Sequence, residues 1–220
     1  MQYKGRKNYY SAQDQLLFNT DDLVKRPSPD QAEFSSMLLP HIPSIKTAIY
    51  AAELELQQRH EELPPYYSNP TLDAHLFNSN VLGKLQDLMG VEQFGRTPEG
   101  RTYWKLGGYI VYFKKMDQAF EVSNIPTNNT LRIGAQYATP TEEPKTVIFI
   151  GYRGYGNDLC NIEGIFARYI DTERSQGWII DLSILQKSAA YASATSDEIE
   201  TYVNDTESRV KIKKVYEEAL

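Results

Sequence analysis

Apolar side chains on both faces mark residues 103–113 as the centre of a predicted β-sheet. The runs 103–106 and 109–113 are rich in aromatic and β-branched residues, and Gly107-Gly108 separates them. Two glycines between such runs are typical of a tight hairpin, because the favoured turns need positive φ. Apolar residues fall at both odd and even positions of the second run. We therefore predict an interior strand that is covered on both sides.

Three other segments are predicted to be strands. Residues 146–152 form a continuous apolar run that is short enough for a central strand, and apolar residues alternate with polar or small ones over 131–135. Residues 178–182 follow a polar turn and are predicted to pair with 162–170 as a hairpin. A helix at 162–170 remains the alternative.

Helical spacing dominates the first half of the chain. Asp30 is a predicted N-cap, with Glu33 completing a capping box, for a helix that ends near Leu39. A longer helix begins at Pro43 and carries one apolar stripe. Asn69 is the predicted cap of a third helix, which ends before the Pro- and Gly-rich loop at 91–100.

Together these elements predict an α+β fold in a single domain, residues 1–220. An antiparallel sheet of five or six strands occupies about 101–183, and a helical layer at 30–89 packs against it. A C-terminal helix at 196–219 is predicted from a second capping box. Residues 1–29 are polar and are predicted to form a flexible arm.

Composition narrows the class of protein. The chain has 220 residues, 41% of them hydrophobic, with a net charge of −6 and one cysteine. A single cysteine excludes an internal disulfide and a cysteine-based zinc cage, and it fits a reducing compartment. No signal peptide and no run long enough to cross a membrane is recognisable, so we expect a cytoplasmic protein without a membrane partner.

Catalytic motifs are absent from the sequence. The three histidines have no zinc-binding spacing, and we expect neither a metal nor a cofactor. Cys160 paired with a histidine would be a candidate nucleophile, but nothing beside it in the sequence lowers a thiol pKa. A buried thiol is the preferred interpretation, and whether the protein is an enzyme stays open.

The strongest local bias is positive charge around the predicted hairpin. Residues 96–115 carry Lys105, Lys114 and Lys115 among five cations, against one acid, and tyrosines lie between them. Basic and aromatic residues on strands form platforms for single-stranded nucleic acid. The alternative is that the aromatic residues belong to the core and the cations protect a sheet edge.

Three residues outside the hairpin extend this candidate binding surface. Arg132 lies in the predicted strand at 131–135, and Arg153 and Tyr155 lie in the loop after 146–152. Backbone N–H groups of such a loop, with an arginine, can bind an anion. A nucleic-acid binder or a metal-independent ribonuclease-like enzyme is therefore one hypothesis for the function.

The leading hypothesis is a non-catalytic regulatory protein that binds a protein partner or itself. Sixteen tyrosines are many for this length, and tyrosine is enriched at interfaces. The partner would bind an aromatic-rich surface or a terminal helix. A pull-down from the native host that returned no stoichiometric partner would count against this hypothesis.

Overall fold

The computed structural model describes residues 22–62, 69–122 and 127–186. Its strands are β1 (Val24–Lys25), β2 (Phe94–Arg96), β3 (Thr102–Leu106), β4 (Tyr109–Lys115), β5 (Tyr137–Ala138), β6 (Thr146–Gly154), β7 (Ile162–Asp171) and β8 (Gln176–Asp181). One six-stranded sheet has the order β2-β3-β4-β6-β7-β8, and β1 pairs with β5 separately. With the helices packed on it, this sheet confirms the predicted α+β class.

The helices of the described ranges include α1 (Gln31–Leu38), α2 (Ile42–Glu62), α3 (Pro70–Met89) and α4 (Asn128–Gly134), and residues 182–186 are also helical. Asp30 caps α1 by accepting the backbone N–H groups of Ala32 and Glu33, at 2.8 and 3.1 Å. Asn69 caps α3 in the same way. Both predicted caps are confirmed, because each side chain satisfies N–H groups that the first helical turn leaves unpaired.

Strand β4 is the interior strand that the pattern predicts. All five residues from Tyr109 to Phe113 are buried, and β4 lies between β3 and β6. The turn before it has a positive φ at Gly107, 55°, which a residue with a Cβ adopts at a cost. Residues of β4 enter both hydrophobic clusters of the molecule, one on each face of the sheet.

The sheet is mixed, whereas the sequence predicts antiparallel pairing throughout. β4 and β6 run parallel, with Tyr109 opposite Thr146 and Lys115 opposite Tyr152. The other four pairs in this sheet are antiparallel. A parallel pair needs a crossover connection, and residues 116–145 supply one that includes α4.

The predicted strand at 131–135 is wrong, because these residues belong to α4. Thr127 and Thr130 form a reciprocal capping box: each side-chain hydroxyl accepts the other's backbone N–H, at 3.2 and 2.8 Å. The box starts a helix that places Leu131 and Ile133 against the sheet. Alternation over five residues fits one turn of a buried helix as well as it fits a strand.

The segment 162–170 is a strand, as the sequence predicts, and not the alternative helix. β7 pairs antiparallel with β6 on one side and with β8 on the other, and Tyr169 lies opposite Trp178. Glycine is required at the end of β6, because a Cβ on Gly154 would lie 1.7 Å from the backbone oxygen of Asp158. The register of β6 and β7 shifts at this point.

The two faces of the sheet are covered differently. The larger cluster joins β4, β6 and β7 to the helices α1, α2 and α3. The smaller cluster lies on the opposite face, which we call the second face. Its buried residues are Ile110, Tyr112, Met116, Ile133, Val147, Phe149 and Phe166. Ile133 of α4 packs on the second face, and Arg101 and Lys114 line a cleft beside it.

Both ends of the chain extend beyond the described ranges. Residues 1–21 of the predicted arm lie outside them, but Val24–Lys25 pairs with Tyr137–Ala138 and Arg26 is buried. The predicted C-terminal helix at 196–219 also lies outside the described residues. No helix in the described part of the chain is long and apolar enough to cross a membrane.

Candidate anion-binding site

The second face carries two of the three lysines of the predicted hairpin. Side chains alternate along a strand, so Lys114 continues the series of Ile110 and Tyr112 on this face. Lys105 in β3 follows the same alternation as Tyr103, which packs on this face. Lys115 points to the opposite face. The sequence hypothesis therefore placed together residues that the sheet separates.

Arg101 lies near Lys114 at the open end of the hairpin. The paired register of β3 and β4 ends with Trp104 opposite Val111, and the side chains of Arg101 and Lys114 beyond it line one cleft. Burial lowers the pKa of Lys114, and the charge of Arg101 lowers it further. Among the described residues, no carboxylate forms an ion pair with either cation. Like charges that lie near each other disfavour the charged forms of both groups.

These two cations line a cleft between the sheet and α4, which we call the basic cleft. Its other lining residues are Tyr112, Thr130, Ile133 and Phe149. Burial raises the pKa of Tyr112 to about 12, so its phenol is neutral at physiological pH and keeps a hydrogen to donate. The basic cleft offers two positive charges on an otherwise apolar wall.

Arg132 lies in α4 but is not free for a ligand. It is buried, and its guanidinium donates to both carboxylate oxygens of Glu142, at 2.5 and 2.8 Å. Arg26 binds the same carboxylate at 3.1 Å. Burial alone would raise the pKa of Glu142, but these arginines and the backbone N–H of Thr139 lower it below its ordinary value. Arg132 therefore holds α4 in position beside the basic cleft.

Arg153 is also held by the protein itself. Its Nε lies 3.0 Å from Glu163 Oε2, and its guanidinium packs over the rings of Phe120 and Phe166 at 4.6 and 5.1 Å. Tyr155, two residues further on, is 70% exposed. The predicted binding loop therefore presents a tyrosine, while its arginine contacts the second face.

The two remaining predicted lysines differ in environment. Lys105 is exposed on the second face, near enough to Glu143 to lower the pKa of that carboxyl slightly, after the nearer Lys145. Lys115 is half-buried on the opposite face; burial lowers its pKa and Asp158 opposes that effect. Lys105 extends the basic cleft along the hairpin, and Lys115 does not belong to it.

The tyrosines of the described residues are mainly structural. Their buried members are Tyr109, Tyr112, Tyr152 and Tyr169, and their exposed members are Tyr50 and Tyr155. Trp104 is buried as well, in the cluster under the helices. The aromatic residues of the hairpin therefore form core, which was the alternative interpretation of the basic and aromatic pattern.

Comparison with known proteins gives no assignment. No protein-family model matches the chain, no curated protein matches it, and no solved structure matches it. The function must therefore be inferred from the chemistry of the described residues. Within them, no three histidine, cysteine or carboxylate side chains are grouped to hold a metal ion.

Proposed function

We propose that this protein binds nucleic acid and holds a backbone phosphate in the basic cleft. The observation that carries this proposal is the pair Arg101 and Lys114, two cations that line one cleft with no carboxylate partner among the described residues. A phosphate between them would turn a repulsive pair into an attractive triplet. Arginine offers a fork that matches phosphate geometry, and lysine adds a point charge.

The surroundings of the pair support a phosphodiester strand as the ligand. Tyr112 lines the same cleft and supplies a neutral hydroxyl donor. Lys105 lies on the same face of the hairpin, opposite Ile110, which is four residues along β4 from Lys114. That separation is about 13 Å at the usual rise of a strand, so a strand of nucleic acid that crosses the hairpin would meet both lysines.

Binding of a short labelled single strand, RNA or DNA, tests the proposal by fluorescence anisotropy at low salt. The variant Lys114→Met should weaken binding about tenfold, the value of one charge-assisted contact. It should also reduce the slope of log affinity against log salt by about 1. The matched control is Lys84→Met, because Lys84 is a surface lysine paired with Glu55 at 3.0 Å on the helical side.

Two results would contradict the proposal. One is the absence of binding by the wild-type protein at low salt. The other is an equal loss of affinity in Lys114→Met and Lys84→Met, which would indicate attraction to overall charge and not to the basic cleft. The ribonuclease-like extension of the hypothesis stays a prediction, and cleavage of the labelled RNA in the same assay would reveal it.

The hypothesis of a protein partner also stays a prediction, and one observation favours a place for it. Tyr50 and Leu54 are 47% and 54% exposed, one turn apart on α2. Apolar pairs at this spacing are what partner helices bind. This surface lies on the helical side of the sheet, away from the basic cleft, so the two hypotheses do not compete for the same residues.

A further inference from the structure

Three side chains from distant parts of the chain line up near the end of α2. The Sγ atom of Cys160 lies 3.4 Å from His60 Nδ1, and His60 Nε2 lies 3.2 Å from Asp73 Oδ2. A nucleophile, a base and an acid that orients the base are the three parts of an activated nucleophile. This arrangement is independent of the basic cleft and of the function proposed for it.

Each of the three residues is placed by a different element. His60 lies in the last turn of α2, Asp73 in the first turn of α3, and Cys160 in the loop between β6 and β7. The side chain of Asp73 is nine-tenths buried, whereas that of His60 is one-third exposed. The base is therefore open to solvent and the acid is shielded.

Other contacts hold the cysteine loop against α2. Gln57 Nε2 donates to the Cys160 backbone oxygen at 2.5 Å, and Glu53 Oε1 accepts the backbone N–H of Ile162 at 2.6 Å. The backbone N–H of Cys160 donates to Asp158 at 2.9 Å. Gln57 and Glu53 are one turn apart on the face of α2 that ends in His60. These hydrogen bonds hold the backbone before and after the Cys160 side chain, and so they fix the position of the thiol.

Valence determines how the histidine is protonated. A carboxylate oxygen accepts a hydrogen bond, so the contact with Asp73 places an imidazole N–H at His60 Nε2. The lone pair of Nδ1 then faces the Cys160 thiol, where it can accept the S–H proton. Burial raises the pKa of Cys160 to about 11, and the charges of Asp158, Asp73 and Glu53 add to the effect, as does a hydrogen bond between the thiol and the Asp158 carboxylate. The thiol therefore stays protonated at neutral pH until a base removes its proton.

We propose that Cys160, His60 and Asp73 form a nucleophilic thiol site that accepts an acyl group from an activated ester or a thioester. As Cys160 Sγ bonds to the acyl carbon, its proton moves to His60 Nδ1. The bond from the acyl carbon to the leaving oxygen or sulfur then breaks, and the leaving group takes that proton from His60. The products are a thioester on Cys160 and a free alcohol or thiol.

Acylation of the full chain by p-nitrophenyl acetate at neutral pH tests this proposal. Cys160 is the only cysteine, so a thioester located by peptide mass spectrometry reports on this site alone. We expect stoichiometric acylation of the wild-type protein and a rate about a hundredfold lower in His60→Ala, the usual contribution of a general base. His75→Ala is the matched control, because His75 is exposed on α3, and it should react like the wild type.

Misfolding cannot imitate the expected loss. An unfolded chain would expose the thiol and return its pKa to about 8.5, which would make Cys160 react faster. The difference in acylation rate between the wild type and His60→Ala should also become smaller as the pH rises towards about 11, because the thiol then ionises without a base. Asp73→Asn removes the carboxylate that positions His60. Its acylation rate should lie between those of the wild type and His60→Ala at neutral pH, and the three rates should become equal as the pH rises. Equal rates for His60→Ala and His75→Ala, or no thioester on wild-type Cys160, would overturn the proposal.

Discussion

Replacing Gln136 with alanine should lower the free energy of unfolding by about 4 kcal/mol, because three buried hydrogen bonds would be lost together. Gln136 is completely buried. Its Nε2 donates to the backbone oxygens of Val147 and Ile170, both at 2.9 Å, and its Oε1 accepts the backbone N–H of Val147 at 3.0 Å. Alanine would leave these backbone groups without a partner and create a cavity.

The position of Gln136 explains the size of the effect. The register that pairs Phe149 with Arg168 would next bring Val147 opposite Ile170, and the amide of Gln136 binds both of these residues. A side chain thus joins β6 to β7 where the ladder between the strands ends. Gln136 also has a positive φ of 55°, which the three hydrogen bonds help to maintain.

Urea unfolding of the variant measures this prediction. The matched control is Gln118→Ala, because Gln118 is an exposed glutamine with one bond to a backbone oxygen, that of Gly154 at 3.2 Å. The control should lose about 1 kcal/mol or less. A similar small loss in both variants would show that the bridge between β6 and β7 contributes little.

The substitution Glu142→Gln should lower the free energy of unfolding by about 3 kcal/mol, which is the second largest loss of stability that we expect. Arg26 is 3% exposed and Arg132 is 8% exposed, and both bind this one carboxylate. Removing its charge leaves two buried guanidinium groups without a counterion, which costs far more than the loss of a surface pair. The same substitution should loosen α4, since Arg132 connects that helix to Glu142.

The neighbouring Glu143 provides the control for this experiment. Its carboxylate is exposed and pairs with Lys145 at 2.7 Å, so Glu143→Gln should change stability by about 0.5 kcal/mol or less. The pKa of Glu142 is lowered in the folded protein, so its contribution is present at neutral pH and is lost as pH falls below the ordinary value of 4.5. The free energies of unfolding of the wild type and Glu142→Gln should therefore become equal at acidic pH. A constant difference across this pH range would refute the role of the charge.

Local sequence determines much of the sheet but not the direction of its strands. Residues 109–113 and 146–152 are predicted correctly as interior strands, because burial on both faces produces a continuous apolar run. The same run fits a parallel or an antiparallel neighbour. The parallel pairing of β4 with β6 depends on the crossover at 116–145, and no periodicity within either strand indicates it.

The candidate site shows the same limit. The sequence predicts a strand at 131–135, so it does not predict that α4 lines one side of the basic cleft. The capping box of Thr127 and Thr130 is the local signal for this helix. Sequence also cannot distinguish a free cation from one neutralised by a distant acid, and the pair of Arg153 with Glu163 is an example.

The thiol site illustrates a related difficulty. His60 and Cys160 are 100 residues apart, and the contact between them exists only because α2 packs beside the loop after β6. Nothing beside Cys160 in the sequence indicates a base. Residues that act together through tertiary packing therefore escape a search for local motifs.

The phosphate site in the basic cleft is the claim on which the proposed function depends, and thermal unfolding in inorganic phosphate at constant ionic strength tests it most directly. A ligand that binds the folded state alone raises the melting temperature, and the rise grows with the logarithm of the ligand concentration above its Kd. The wild-type melting temperature should rise with phosphate. Lys114→Met should not respond, and without phosphate it should be at least as stable as the wild type, since a repulsive pair has been removed. An equal rise in both proteins, or none in the wild type, would contradict the account.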